Sequence, residues 1–288
     1  MSDCQEITHY LRQLKTEAVM FDFIYQNGRG DLNKAMAQKA FTKEIIKAAD
    51  PIRFSESEIE DLKKVSKLMA LPDPEKAIKE KKVLLPSIKE LSEAESFGFT
   101  KPMLVPATFS RASELGQHLH MALNYRQLPG LVIENPMKTI DLIDQAKAPE
   151  GFLYYLVMTE SNTGLLSHSI NCKPSSAKKM IESIPRRFDL DVSLRPMNIR
   201  EYIMLQAWSL AQTEELLDMG RGCFFLDQKI REGDEDYYLY AFGIQDENRI
   251  KFGLAKDKRF HNWGTRYCVV PKALEKLISQ SVDQQVSK

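Results

Sequence analysis

Hydrophobic positions in the first third of the chain recur at helical spacing. In "ITHYLRQLKTEAVMFDFIY", Ile7, Leu11, Leu14, Ala18 and Phe21 follow a 3.6-type period, which predicts an amphipathic helix. "NGRGD" at 27–31 interrupts it, and Asp31 can cap a second helix in "LNKAMAQKAFTKEIIKAAD". After Asp50-Pro51, "SESEIEDLKKVSKLMAL" sets Ser55 and Glu58 as a capping box ahead of Ile59, Leu62, Val65, Leu68 and Met69. Pro86 forbids one straight helix through "PDPEKAIKEKKVLLPSIKELSEAES". The stretch from Gly98 to Pro149 is punctuated by prolines; it predicts helices in "SRASELGQHLHMALNYRQL" and "MKTIDLIDQAK" and a short strand in "GLVIE".

Past "KAPEG" at 147–151 the period shortens. "FLYYLVMTES" is rich in branched and aromatic residues and predicts a strand, with "LLSHSINCK" returning beside it as a hairpin arm. Pro174 and two serines start a helix in "PSSAKKMIESIPRRF". "MNIREYIMLQAWSLAQTEELLDM" predicts the longest helix, with Ile199, Ile203, Ala207 and Leu210 on one side and an end at Gly220. "GCFFLDQKI", "YYLYAFGIQ" and "RIKFGLAK" alternate as strands, and their connections are too short for crossover helices, so they predict an antiparallel meander. "RYCVV" adds a strand before a last helix, "PKALEKLISQSV". The expected class is α+β: a mainly α-helical region at 1–149, then an α+β domain at 150–288 whose antiparallel sheet packs with helices.

Composition changes this picture little. Forty basic and forty acidic residues cancel, so no global charge draws the chain to nucleic acid or an anionic membrane. Cys4, Cys172, Cys223 and Cys268 lack the spacing of a zinc knuckle or a redox pair, which fits free thiols in a reducing compartment. No basic head with an apolar block opens the chain, and no charge-free stretch is long enough to span a bilayer. A soluble protein is expected, cytoplasmic or exported without a classical signal peptide.

Candidate chemistry falls into four groups. Cys172, His168 and His261 are the nearest approach to a nucleophile, a base and a partner, since an imidazole can activate a thiol that a helix start also favours. Cys268, in "YCVV", reads as core. "NCKPSSAKK" offers Lys173, Ser175, Ser176 and Lys178 beside helix-end amides, with Arg200 among flanking cations; a basic strip there suits a nucleotide or another phosphorylated ligand, with Glu201 or Asp227 as an acidic base. The strict phosphate-loop spacing is absent. No metal site is expected: the helix turns His118 and His120 away from one another. Tyr238, Tyr240 and Phe242 share a strand face but are expected to pack beneath the long helix, which argues against nucleic-acid stacking. "KDKRFHNWGTR" gathers Arg259, Trp263 and Arg266 with Phe260 and His261 in an irregular loop, and aromatic and arginine anchors of this kind carry interface energy.

Lysine- and glutamate-rich helices, modest charge and the lack of a metabolic-enzyme fingerprint give the chain a texture that resembles bacterial proteins delivered into host cells. No residue role follows from that resemblance. The first expectation is a protein-interaction module of that host-directed kind. A nucleotide- or phosphate-binding enzyme built on Lys173–Lys179 comes second, and a cysteine-dependent hydrolase or transferase third. No cofactor is assigned.

Overall fold

The computed structural model describes residues 54–96, 99–159, 172–179, 193–274 and 276–278. The helices expected before residue 54 and the hairpin arm at 165–171 lie outside them. Helix α1 (Glu56–Leu68) opens with the expected capping box: Ser55 Oγ accepts from Glu58 N–H, and the Glu58 carboxylate accepts from Ser55 N–H at 2.7 Å. Helix α2 (Pro74–Lys79) starts on Asp73, whose carboxylate accepts from the Glu75 and Lys76 amides. Strand β1 (Val83–Leu84) separates it from α3 (Ile88–Ser96). Strand β2 (Lys101–Pro106), helix α4 (Ala112–Tyr125), strand β3 (Val132–Ile133) and helix α5 (Pro136–Ile143) follow.

The second half contributes β4 (Tyr154–Thr159), β5 (Ser193–Pro196) and α6 (Ile199–Thr213). Then come β6 (Gly222–Glu232), β7 (Glu235–Ile244), β8 (Arg249–Lys256), β9 (Trp263–Gly264) and β10 (Tyr267–Val270). Residues 174–179 are also helical, as are 272–274 and 276–278.

Two sheets result, and the class is α+β as expected. In the first, β2 pairs antiparallel with β4 from Lys101↔Thr159 to Pro106↔Tyr154. The other edge of β4 is shared by β1, parallel, and β10, antiparallel, and β10 also pairs β5. The second sheet has the order β3-β8-β7-β6-β9. Its centre is the expected meander, with two-residue parallel pairings added by β3 and β9.

The boundary expected near 147–151 runs between hydrogen-bonded neighbours, because β2 lies before it and β4 after it. One core cluster gathers Val65, Met69, Leu115 and Leu119 with Ile203, Phe225, Leu239 and Phe252. Helix α6 is central to it. It packs against α1, α4 and β2, and it is buried around nearly its whole circumference, from Ile199 to Leu210. It stops short of the expected Gly220. Glu214 adopts the left-handed conformation (φ 61), and Gln206 accepts from the Leu217 amide at 2.8 Å and donates to the Leu217 carbonyl. The segment after Thr213 is thereby drawn back along the helix instead of extending it.

Pairing between β6 and β7 jumps from Phe225↔Leu239 to Lys229↔Tyr238, so residues 226–228 form a bulge. Leu226 and Gln228 are buried there and Asp227 points out. Gln228 Oε1 accepts from the Ile199 amide at 3.0 Å and its Nε2 donates to the Leu142 carbonyl at 2.9 Å. The bulge therefore ties the start of α6 and the end of α5 to the second sheet. No helix among the described residues is long and apolar enough to cross a membrane.

Candidate functional site

The two faces of the second sheet are covered differently. Cys223 and Phe225 of β6 and Leu239 and Ala241 of β7 point into the core cluster that holds α6. Tyr238 and Tyr240 belong to the other cluster, with Phe242 packed against it, so the trio lies on the face opposite the long helix rather than beneath it. On that outer face Gly222 is paired with Phe242, and Phe224 with Tyr240. The missing side chain at Gly222 leaves a dent, which the Trp263 ring fills: a Cβ there would fall 2.2 Å from the ring. Asn262, with left-handed backbone (φ 60), turns the chain just before it.

Trp263 lies against four rings. Phe260 stacks on it at 4.5 Å between centroids and 21° between planes; Tyr240, Phe224 and Phe242 surround it at 4.8, 5.1 and 5.7 Å. The Lys258 ammonium sits 5.0 Å from the Phe260 centroid. Gly253 repeats the device two strands over, on β8. Its lack of a side chain lets Tyr240 lean across β8 and donate to Glu134 at 2.8 Å, where Lys251 also donates at 3.1 Å. The Tyr240 hydroxyl and then Lys251 hold the Glu134 carboxyl below its ordinary range. Phe242, Phe260 and Trp263 remain half-buried, while Lys258, Arg259 and His261 are exposed beside them.

A second concentration of polar groups is interior. Glu201, fully buried, closes a capping box with Asn198 at the start of α6, where its Oε2 accepts from the Asn198 amide at 2.8 Å. Its carboxylate also accepts from Tyr155 at 3.2 Å, from the Cys268 thiol at 3.5 Å, and from both terminal nitrogens of Arg195. Burial works against the Arg195 charge, yet the Glu201 carboxylate more than offsets it and raises the guanidinium above its usual value. Arg266 forms a bidentate pair with Asp218 at 3.0 and 2.6 Å. Arg200 donates to the Ala146 and Ser110 carbonyls at 2.6 and 3.0 Å, and burial pulls its pKa down.

Arg200 and Arg266 therefore do not lie on a binding surface as expected; each is interior, held by groups far away in sequence. Glu201 is engaged by its own chain and is not placed as an acidic base in a pocket. Cys172 is half-buried and packs on the second core cluster; His261 is exposed, and His168 lies outside the described residues. Burial, then Asp218, pushes the Cys223 thiol up to about 12, and burial, then Glu201, pushes Cys268 well above its ordinary value, so both thiols stay protonated.

At the basic segment, the Ser175 amide donates to Asp257 at 3.1 Å and Lys178 pairs with Asp227 at 2.7 Å. The helix start expected to hold an anion thus meets a carboxylate of the chain itself. Lys173 and Ser176 are exposed.

His118 bonds the Met69 carbonyl and His120 accepts from the Leu131 amide, so the two rings serve different loops. Among the described residues no group of three His, Cys, Asp or Glu side chains is placed to hold a metal ion. A hollow of about 590 Å³ lies beside α5, lined by Arg111, Asp141, Asp144 and Lys147 among others. Its charges are mixed, and Asp144 is already accepting from the Ser113 amide and hydroxyl. Sequence reading pointed to Trp263 and Arg259 but missed Gly222 and Gly253; a glycine inside an alternating strand is the signal that marks such close approaches. Comparison of the chain with protein-family models, curated proteins and solved structures finds no match.

Proposed function

We propose that this chain is a protein-recognition module whose contact face is the outer side of the second sheet, centred on Phe260, Trp263 and Phe242. The observation that carries this reading is the Phe260–Trp263 stack: half-buried, seated in the Gly222 dent and braced by three further rings. Rigid, partly exposed aromatic side chains bind with little ordering cost, because their rotamers are already set. The exposed Arg259 and His261 supply a polar rim.

The phosphate reading has less support. Of its donors, the Ser175 amide and Lys178 already face carboxylates, and Arg200 is interior. The cysteine reading rests on Cys172, which is half-buried, with His261, which is exposed. An unbiased library of displayed peptides, panned against the full chain, tests the module. Binders are expected that lose affinity on Phe260→Ala while the far-ultraviolet circular dichroism of the variant stays unchanged. Binders indifferent to both Phe260→Ala and Phe242→Ala would remove this face as the contact surface.

A further inference from the structure

Charge at this face leans towards the cations. The carboxylates bordering it are engaged by the chain's own donors: Asp257 by the Ser175 amide, Asp227 by Lys178, and Glu235 by Lys256 at 2.5 Å. Asp236 is engaged by Lys229, and Glu134 by Tyr240 and Lys251. Lys258 and Arg259 are exposed, and no carboxylate of the described residues pairs with either; the Lys258 ammonium rests over the Phe260 ring instead. Exposed cations thus stand beside half-buried rings: Lys258, whose charge the Glu235 carboxylate feels, and Arg259.

Ring surface of Trp263 and Phe260 is taken up by the chain itself. Gly222 lies against the Trp263 indole and Phe260 stacks on it, while Lys258 lies over the Phe260 ring. A nucleic-acid base needs an open aromatic face on which to stack. An aliphatic or aromatic side chain of a peptide needs only an apolar edge beside which to pack.

We infer that the partner segment is an acidic peptide, its carboxylates meeting Lys258 and Arg259 and an adjacent apolar side chain packing against Phe242 and Trp263. This rests on the protein-recognition reading above. Charge complementarity of this kind acts on association and on discrimination against wrong partners.

The test uses the full chain carrying Trp208→Phe, so that Trp263 is the remaining tryptophan and its emission reports the site. The probes are a short peptide alternating glutamate and phenylalanine, the same peptide with lysine for glutamate, one with serine for phenylalanine, and oligothymidylate. The glutamate–phenylalanine peptide is expected to change Trp263 emission saturably, and Lys258→Glu with Arg259→Glu to weaken it by about tenfold or more. The lysine peptide is expected to bind only that charge-reversed variant. Equal binding of the glutamate and lysine peptides by the unreversed chain overturns the inference, as does tighter binding of oligothymidylate or no response to the acidic peptide. Library binders that depend on Phe260 but carry no acidic residues would leave the recognition face standing and refute the acidic partner.

Discussion

Gly222 and Gly253 matter through the side chains they lack. At Gly222 a Cβ would lie 2.2 Å from the Trp263 ring, and at Gly253 it would lie 2.8 Å from Tyr240 Oη and Glu134. Gly222→Val is expected to expel Trp263, cost about 1–3 kcal/mol through overpacking, and shift Trp263 emission to the red; urea unfolding and fluorescence in a Trp208→Phe background check both. Cys223 carries a second prediction. Burial and then Asp218 raise its pKa from 9.0 to about 12, so the unfolded chain ionises where the fold does not. The stability linked to this thiol is whole below pH 9.0 and declines as pH rises towards 12, by at most about 1.4 kcal/mol per pH unit. Urea midpoints measured on either side of pH 9.0 should fall more steeply for the wild type than for Cys223→Ala. Residue roles were the least readable part of the sequence. Arg266 stands in a loop-like run of polar residues, and its partner Asp218 is 48 positions away, so nothing local signals that it is interior.

At the scale of elements, the bulge in β6 is the most consequential irregularity. Gln228 reaches two helix ends from it, and Gln228→Leu would leave the Ile199 amide and the Leu142 carbonyl without that partner inside the core. The Leu142 carbonyl still accepts from the Gln145 amide, so the Ile199 amide is the group left orphaned, and a loss of about 1–3 kcal/mol is expected in urea unfolding. Asp227→Ala, on the outward residue of the same bulge, should change stability by less than about 1 kcal/mol because its Lys178 pair is exposed. Elements with strong local signals were readable: the Ser55–Glu58 capping box, the β6-β7-β8 meander and the helix starting near Asn198 all follow from patterns of a few residues. Strand β2 was not, because "KPMLVP" places prolines at Pro102 and Pro106 that read as breakers. Its position along β4, outside the rest of the sheet, explains how they are accommodated. The end of α6 was missed for a similar reason: Gln206 overrides the propensity of "EELLDM" by capturing Leu217.

For the molecule as a whole, the strongest constraint is that both halves of the chain share sheets and core. β1 and β2 pair with β4, β3 pairs with β8, and the cluster around α6 draws on residues from Val65 to Leu274. A chain divided between residues 149 and 150 is therefore expected to give halves that show no cooperative unfolding separately, and the intact protein to unfold in one transition. Calorimetry of the three species checks this; a sharp transition in the isolated 150–288 piece would contradict it. Glu201 carries a consequence for how quickly this architecture can form. Its donors include Tyr155, 46 positions before it, and Cys268, 67 positions after it, so the polar knot at the head of α6 closes only when remote segments have already met. Such dependence on distant encounters slows the search for the native state, and refolding from denaturant should be sluggish for a chain this rich in helix.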